Sequence, residues 1–306
     1  MLFGLICNRN SAYAEPPKTF HFIKKGMIIL MKICIVGLGL IGGSFAKAIK
    51  QNTNHLVYGI NRSEKTALKA LDCGAIDKVA TPEQMNECKL IILAITPDAA
   101  IEFVKKHAEL ISPETVVLDC CGIKRTVCNE LNFVAQEHNF VFLGGHPMAG
   151  KEHSGFDHST PKLFSNASMI LTPTTEKAEN ASVQLESLFN EIGFGKVVVT
   201  TPDEHDKIVA YTSQLAHIAS NAYIKSPTAE KHRGFSAGSF RDLTRVAYLD
   251  ENMWSELFLN NKDNLLNELN FLIDRLNEYK TVLENEDREQ LTELLRDGKE
   301  KKLKSN

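Results

Sequence analysis

The run Lys32-Ile33-Cys34-Ile35-Val36, followed by Gly37-Leu38-Gly39-Leu40-Ile41-Gly42-Gly43-Ser44, decides the fold. An apolar stretch enters three glycines spaced G-x-G-x-x-G, and the residues beyond, about 43–51, read as a helix. Each glycine has its own reason. One makes the tight turn, one lets the backbone approach a pyrophosphate, and one lets the helix pack on the strand. The helix N-terminus then offers unpaired N–H groups to an anion. In a strand–turn–helix setting the spacing predicts dinucleotide binding through Gly37, Gly39, Leu40, Ile41 and Gly42, against a purely structural glycine turn.

Outward from this motif, strands are expected at Leu56–Ile60, Leu90–Ile95, Val116–Leu118, Phe140–Leu143, Ser168–Leu171 and Lys196–Val199, with helices at about 63–73 and 176–192. The unbroken apolar character of Leu90–Ile95 predicts burial on both faces. Strand–helix alternation predicts an α/β fold with a Rossmann-type, doubly wound parallel sheet. The texture changes after Thr200. Thr201-Pro202-Asp203-Glu204 has the form of a helix start, with Thr as N-cap, Pro at the first position and Glu three residues on. No strand is expected beyond it. Asn252–Glu284 carries an apolar stripe (Leu265, Leu269, Leu272, Leu276, Leu283), and a last helix at about 286–296 precedes a solvated basic tail, Lys299–Lys304. The chain therefore divides into a dinucleotide-binding domain at 31–200 and an all-helical domain at 201–306. Residues 1–30 read as a disordered leader, or as an upstream start with the true one at Met27 or Met31.

Composition narrows the function. With 35 basic and 38 acidic side chains the net charge is -3, without the basic footprint of a nucleic-acid binder. No apolar run approaches the ~18 residues of a membrane-spanning helix. The 7 cysteines include no C-x-x-C pair, so neither a metal site nor a redox dithiol is suggested. Their odd number fits a reducing compartment, the cytoplasm.

The second strand ends at Gly59-Ile60-Asn61-Arg62-Ser63. Dinucleotide folds usually carry an acidic residue here, ~20 residues after the glycines, to hold the ribose 2′-OH. Asn61 brings no charge to repel a 2′-phosphate, and Arg62 can pair with one. This favours NADP over NAD; the alternative is a solvated Arg62 with NAD held through Asn61. Ser63, and Thr96 after the third strand, complete the expected cofactor set.

Two further segments carry chemistry. Gly144-Gly145-His146-Pro147-Met148-Ala149-Gly150-Lys151-Glu152 follows the fifth strand, at the sheet end where ligands bind in open α/β folds. Histidine takes a proton near neutral pH, and the flanking glycines suggest an open, shaped loop, so His146 is the candidate base. His153 and His158 read as surface residues. Gly234-Phe235-Ser236-Ala237-Gly238-Ser239-Phe240-Arg241-Asp242-Leu243-Thr244-Arg245 leads into a helix with Arg241 and Arg245 on one side. It reads as a carboxylate clamp or as a surface salt-bridge cluster. On the helix from Pro202, Asp206, Ala210, Ser213 and His217 share one face.

The glycine fingerprint, the His-Pro-Met-Ala-Gly loop and Phe-Arg-Asp-Leu-Thr-Arg-Val-Ala…Met-Trp together resemble the prephenate/arogenate dehydrogenase family over about residues 31–275. The paired central motifs are specific to that family, whereas the glycine fingerprint is not. The resemblance implies a Rossmann-like domain joined to a helical domain that builds a homodimer. It implies oxidative decarboxylation of prephenate or arogenate with hydride transfer to NAD(P). It makes His146 the acceptor for the ring hydroxyl and Arg245 the carboxylate ligand. His217 and Ser213 fall at substrate contacts and Glu152 near the entrance, while Gly238, Asp242 and Trp254 shape or gate the pocket. A departure stands at Asp119-Cys120-Cys121-Gly122-Ile123-Lys124: the family often has a serine where Gly122 stands, hydrogen-bonded to the catalytic His. A water or Cys121 is then expected to orient His146. The rival readings are another dehydrogenase, of β-hydroxyacid or imine-reductase type, and a non-catalytic dinucleotide sensor.

Overall fold

A computed structural model describes residues 30–305, together with a two-residue antiparallel pairing of Ile23–Lys24 with Met27–Ile28. Apart from that pairing and residue 30, the expectation for residues 1–30 lies outside the described residues. Eight strands form one sheet: β1 (Lys32–Val36), β2 (Leu56–Ile60), β3 (Lys78–Val79), β4 (Leu90–Leu93), β5 (Val116–Asp119), β6 (Val141–Pro147), β7 (Ser168–Thr172) and β8 (Lys196–Val199). Their spatial order is β8-β7-β6-β5-β4-β1-β2-β3, the 3-2-1-4-5-6 Rossmann order extended by two strands at one edge. Helices α1 (Leu40–Asn52), α2 (Glu64–Asp72), α3 (Pro97–His107), α4 (Arg125–His138) and α5 (Glu176–Glu191) are the crossovers. β4 shows the logic of burial. Leu90 and Ile92 enter the core on one sheet face, Ile91 and Leu93 the core on the other, as a period of two requires.

The sheet departs from the fully parallel expectation in one place. β6 and β7 pair antiparallel, with His146 opposite Ile170, so β7 and β8 run against the rest. The 20 residues between them contain only the short 3-10 turn Phe156–His158 and no α-helix, so no crossover unit is available to return the chain in parallel.

From Pro202 the described chain is helical: α6 (Pro202–Val209), a π-helical turn (Ala210–Leu215), α7 (Ala216–Tyr223), α8 (Gly238–Thr244), α9 (Glu251–Asn260), α10 (Lys262–Glu284) and α11 (Arg288–Lys304). Thr201 caps α6, its side chain accepting from Glu204 N at 3.2 Å. Two expectations fail here. The long helix over 252–284 is broken at Asn261, whose buried amide serves other partners described below. The last helix continues to Lys304, where Lys301 pairs with Asp297 one turn back, so the basic tail is helical. Of the apolar stripe on α10 only Leu265 is buried; Leu276 and Leu283 stand 58% and 61% exposed.

The two parts interlock. Leu257 of α9 joins the core on one face of the sheet, the cluster that also holds Val127 and Leu131 of α4. Arg125 at the start of α4 forks onto Asp263 of α10, whose carboxyl it holds down at about 2, and also donates to Asn261 Oδ1 at 3.0 Å. Among the described residues no helix is long and apolar enough to cross a membrane.

Candidate active site

The glycine turn has the shape a dinucleotide needs. Gly37 has φ +89°, and a Cβ there would meet Ala94 O at 2.6 Å. A Cβ at Gly42 would stand 1.9 Å from Gly37 O. Neither position admits a side chain. At Gly39 a Cβ would meet nothing within 4 Å, which leaves the approach over the turn clear. Helix α1 begins at Leu40 with Gly39 as N-cap, earlier than the expected Gly43-Ser44, so the amides of Leu40, Ile41 and Gly42 form its first turn. The first-turn amides of a helix lack intrahelical partners and suit a phosphate. Thr96, exposed at the head of α3, flanks the same crevice across the topological switch between β1 and β4.

At the end of β2 the structure assigns Asn61 a task that the sequence reading missed. Its Oδ1 accepts from Leu38 N at 2.8 Å and its Nδ2 donates to Ser63 O at 3.0 Å. The carboxamide therefore ties β2 to the glycine turn. Ser63 caps α2, its Oγ accepting from Thr66 N. Arg62 is exposed.

His146 lies within β6 rather than in an open loop, because the antiparallel partner β7 extends the ladder through Pro147. Its place is fixed from below. Gly145 tolerates no side chain, since a Cβ would stand 2.6 Å from Asp119 O. Gly145 N donates to Asp119 Oδ1 at 3.0 Å, and Gly145 O accepts from Lys124 Nζ at 2.6 Å. Lys124 and Asp119 form a fully buried ion pair. Burial alone would lower the Lys124 ammonium; Asp119 beside it holds it above its ordinary value.

The ring of His146 is held by a residue outside the expected set. His146 Nδ1 lies 2.8 Å from His205 Nε2, and His205 Nδ1 lies 2.7 Å from Asp206 Oδ1. Asp206 in turn accepts the amides of Lys124 at 2.7 Å and Arg125 at 2.9 Å, capping α4 from the other half of the chain. Cys121, expected as an orienting group, instead points its thiol at Ile95 O. Burial, then His205 and Lys124, push the His146 imidazole well below its ordinary value; burial lowers His205 too, opposed in part by Asp206. The sequence signal for this pair was the His205-Asp206 step just inside a capped helix.

The run from Asp206 to His217 is not one unbroken α-helix. The π-helical turn over 210–215 intervenes, a feature frequent at functional sites. Asp206 faces inward, its carbonyl accepting from Asn261 Nδ2 at 2.8 Å, while Ser213 is half-buried in the turn itself. His217 opens onto a second cluster. Its Nδ1 donates to Val246 O at 2.9 Å, and its ring lies 3.8 Å from that of Trp254. Burial chiefly, and Arg245 nearby, lower its titration. One face of α7 fastens the arginine segment: besides His217, Ser220 donates to Leu243 O at 2.7 Å and Asn221 to Ala247 O at 3.4 Å. Arg245 lies just past the end of α8, exposed, as are Arg241 and Asp242; Gly238 opens α8, and Glu152 is exposed on the loop after β6. Helix α9 bridges the clusters, with Trp254 on His217 and, one turn on, Leu257 beside Gly122.

Comparisons with known proteins identify the family. Residues 45–199 match the family model of the prephenate dehydrogenase nucleotide-binding domain, and residues 201–297 that of the prephenate dehydrogenase dimerization domain. The chain belongs to the prephenate dehydrogenase family. It is 32% identical over 277 residues to a Bacillus subtilis prephenate dehydrogenase, covering 88% of this chain and 74% of that one. A crystal structure of prephenate dehydrogenase from A. aeolicus with hydroxyphenyl propionate and NAD+ superposes with a TM-score of 0.80 at 28% identity, covering 92% of this chain and 100% of that one. Synechocystis arogenate dehydrogenase gives a TM-score of 0.76 at 27% identity, covering 90% and 100%. Family membership sets aside the β-hydroxyacid, imine-reductase and sensor readings.

Proposed function

We propose that this chain is an NADP-preferring, homodimeric member of its family in which His146 is the base and Arg245 the carboxylate ligand. The reaction is the oxidative decarboxylation of prephenate or arogenate with hydride transfer to NAD(P). The observation that carries the reading is that one sheet holds both a glycine turn after β1 that is open to a dinucleotide and, on β6, an imidazole fixed by a buried hydrogen-bond chain.

The open turn at Gly39 and the first amides of α1 fit the pyrophosphate, with Thr96 across the crevice. The dinucleotide, once bound, supplies the hydride acceptor. His146 accepts the hydrogen bond of the ring hydroxyl as the carbon beneath it is oxidised to a carbonyl. Loss of carbon dioxide then makes the ring aromatic, and the oxygen regains its proton. Arg245, with its planar fork, orients a substrate carboxylate. His217 and Ser213 contact the substrate, with Gly238, Asp242 and Trp254 shaping that pocket and Glu152 at its entrance.

NADP is favoured because Asn61 spends its carboxamide on Leu38 and Ser63, leaving no carboxylate at the ribose, while Arg62 is exposed. Homodimerisation is supported by large apolar side chains left open in the helical half, among them Phe235, Tyr248, Phe271 and Leu276. A cytoplasmic site of action follows from the need for a supplied nicotinamide cofactor.

The test is turnover. Prephenate and arogenate, each with NAD and with NADP, are followed at the absorbance of the reduced nicotinamide. Turnover of one acid with preference for NADP is expected; no reduction with any pair removes the assignment. Light scattering should return twice the 34.1 kDa chain mass.

A further inference from the structure

His205 and Asp206 have no role in the reading above, yet His205 is what His146 touches and Asp206 is what His205 touches. The hydrogen-bond chain has a direction, and it can be read from its buried end. Asp206 meets only donors: the amides of Lys124 and Arg125, and Arg125 Nε at 3.5 Å. A carboxylate so surrounded accepts, so the proton in its 2.7 Å contact with His205 sits on His205 Nδ1. A neutral imidazole protonated at Nδ1 has a bare Nε2. That bare nitrogen receives the Nδ1–H of His146 at 2.8 Å. Neutral His146, protonated at Nδ1, then keeps Nε2 bare. Nε2 faces the gap beside Gly122, where a Cβ would stand 4.0 Å from it.

We propose that His205, held by Asp206, is the positioning residue that fixes His146 as its Nδ1–H tautomer and so presents Nε2 as the acceptor for the substrate hydroxyl. The proposal rests on the assignment of His146 as base. Which ring nitrogen carries the proton is set by the bond the other makes, and here that bond is supplied from the helical half of the chain. Gly122 contributes no side chain to His146. A hydroxyl there would sit on the Nε2 side and meet the very atom that the substrate needs. Both imidazoles have to be neutral for the chain to run in this direction, and burial lowers the titration of each.

The experiment is 15N–1H correlation of the ring nitrogens in full-length protein labelled at histidine, alongside steady-state kinetics. Wild-type His146 is expected to be protonated at Nδ1 and bare at Nε2. In His205→Phe the proton should redistribute toward Nε2 of His146, with kcat lowered about a hundred-fold and KM nearly unchanged. His205→Gln, whose amide can accept from His146 and donate to Asp206, should restore the Nδ1–H form and a rate within about ten-fold of wild type. A wild-type His146 protonated at Nε2 overturns the proposal with no variant needed; so does a His205→Phe protein of undiminished kcat. Absence of turnover in the wild type would instead strike the reaction assignment, and the tautomer would still be read.

Discussion

The two histidine clusters of this protein are built on opposite plans. Around His146 every neighbour is committed. Asp119, Lys124, His205 and Asp206 are all buried and all hydrogen-bonded to one another or to the backbone. Around His217 the backbone of the arginine segment is fastened, but Arg241, Asp242 and Arg245 face solvent. The first plan suits bond-making, where a base must hold one orientation at no cost in reorganisation. The second suits recognition, the role proposed for the exposed fork of Arg245. The difference also predicts where each cluster breaks: the first through rate and stability, the second through affinity.

The largest effect is expected at His146, the proposed base. His146→Asn should lower kcat by ~10²–10⁴-fold, with the affinity for dinucleotide, measured by fluorescence titration, little changed. A variant of full activity would reject the assignment and erase the contrast between the clusters. Next comes the carboxylate beneath it. Asp206→Ala leaves His205 without its acceptor and two amides of α4 uncapped. Leaving a buried donor unsatisfied typically costs about 1–3 kcal/mol, to be read as a lowered midpoint in chemical denaturation. The same truncation at exposed Asp242 should leave the midpoint within ~0.5 kcal/mol of wild type. Equal losses at the two positions would show that the clusters are not built differently.

Acid sharpens the comparison. His146 and His205 titrate below their ordinary value of 6.5 in the folded chain, chiefly through burial. A group whose folded pKa is depressed contributes stability that is full above the unfolded pKa. That stability is lost as pH falls below about 6.5 toward the folded value. Denaturation midpoints should therefore be flat from neutral pH to about 6.5 and decline below it. The slope should shrink in His205→Phe, which removes one of the groups that take up a proton on unfolding; His55, His107 and His217, also lowered by burial, keep their share. An unchanged acid limb would mean the buried pair does not titrate as stated.

Much of the first half was legible in advance, because its signals are local. A glycine spacing, an apolar run and a capping Thr each act within a few residues; β1 and the Thr201 cap fell where these rules put them, and β4 began at Leu90 as expected but ended at Leu93, two residues short of Ile95. What escaped was set by distant partners. His146 became a strand residue because β7 pairs back on β6, a long-range event. Asn261 interrupts the long helix because its amide satisfies Asp206 O and Gln214 Oε1, 55 and 47 residues away. His205 was passed over for the same reason: its partner His146 lies 59 residues earlier. The pattern of apolar residues on α10 was readable as a stripe, but not that a single chain leaves much of it uncovered.

In the recognition cluster Arg245→Ala should raise KM for the acid about ten- to a hundred-fold, as expected for a lost hydrogen bond to a charged group. Its kcat should move little, the reverse of His146→Asn. Equal loss in kcat would place Arg245 with the base rather than with recognition.

The smallest effect is expected at the cofactor's edge. Asn61 is tied into the glycine turn and Arg62 is exposed, so the proposed preference for NADP rests on one solvated guanidinium. Exposed ion pairs contribute little and are screened by salt, so Arg62→Ala should raise KM for NADP by about five-fold at most and leave NAD untouched. The effect should shrink further as ionic strength rises. Asn61→Asp works differently. It adds a repulsive charge toward a 2′-phosphate while still accepting from Leu38 N, and it should shift preference toward NAD more than Arg62→Ala does. If Asn61→Asp leaves the NADP-to-NAD ratio unchanged, the 2′-phosphate lies elsewhere, and the cofactor preference read from this strand end is wrong.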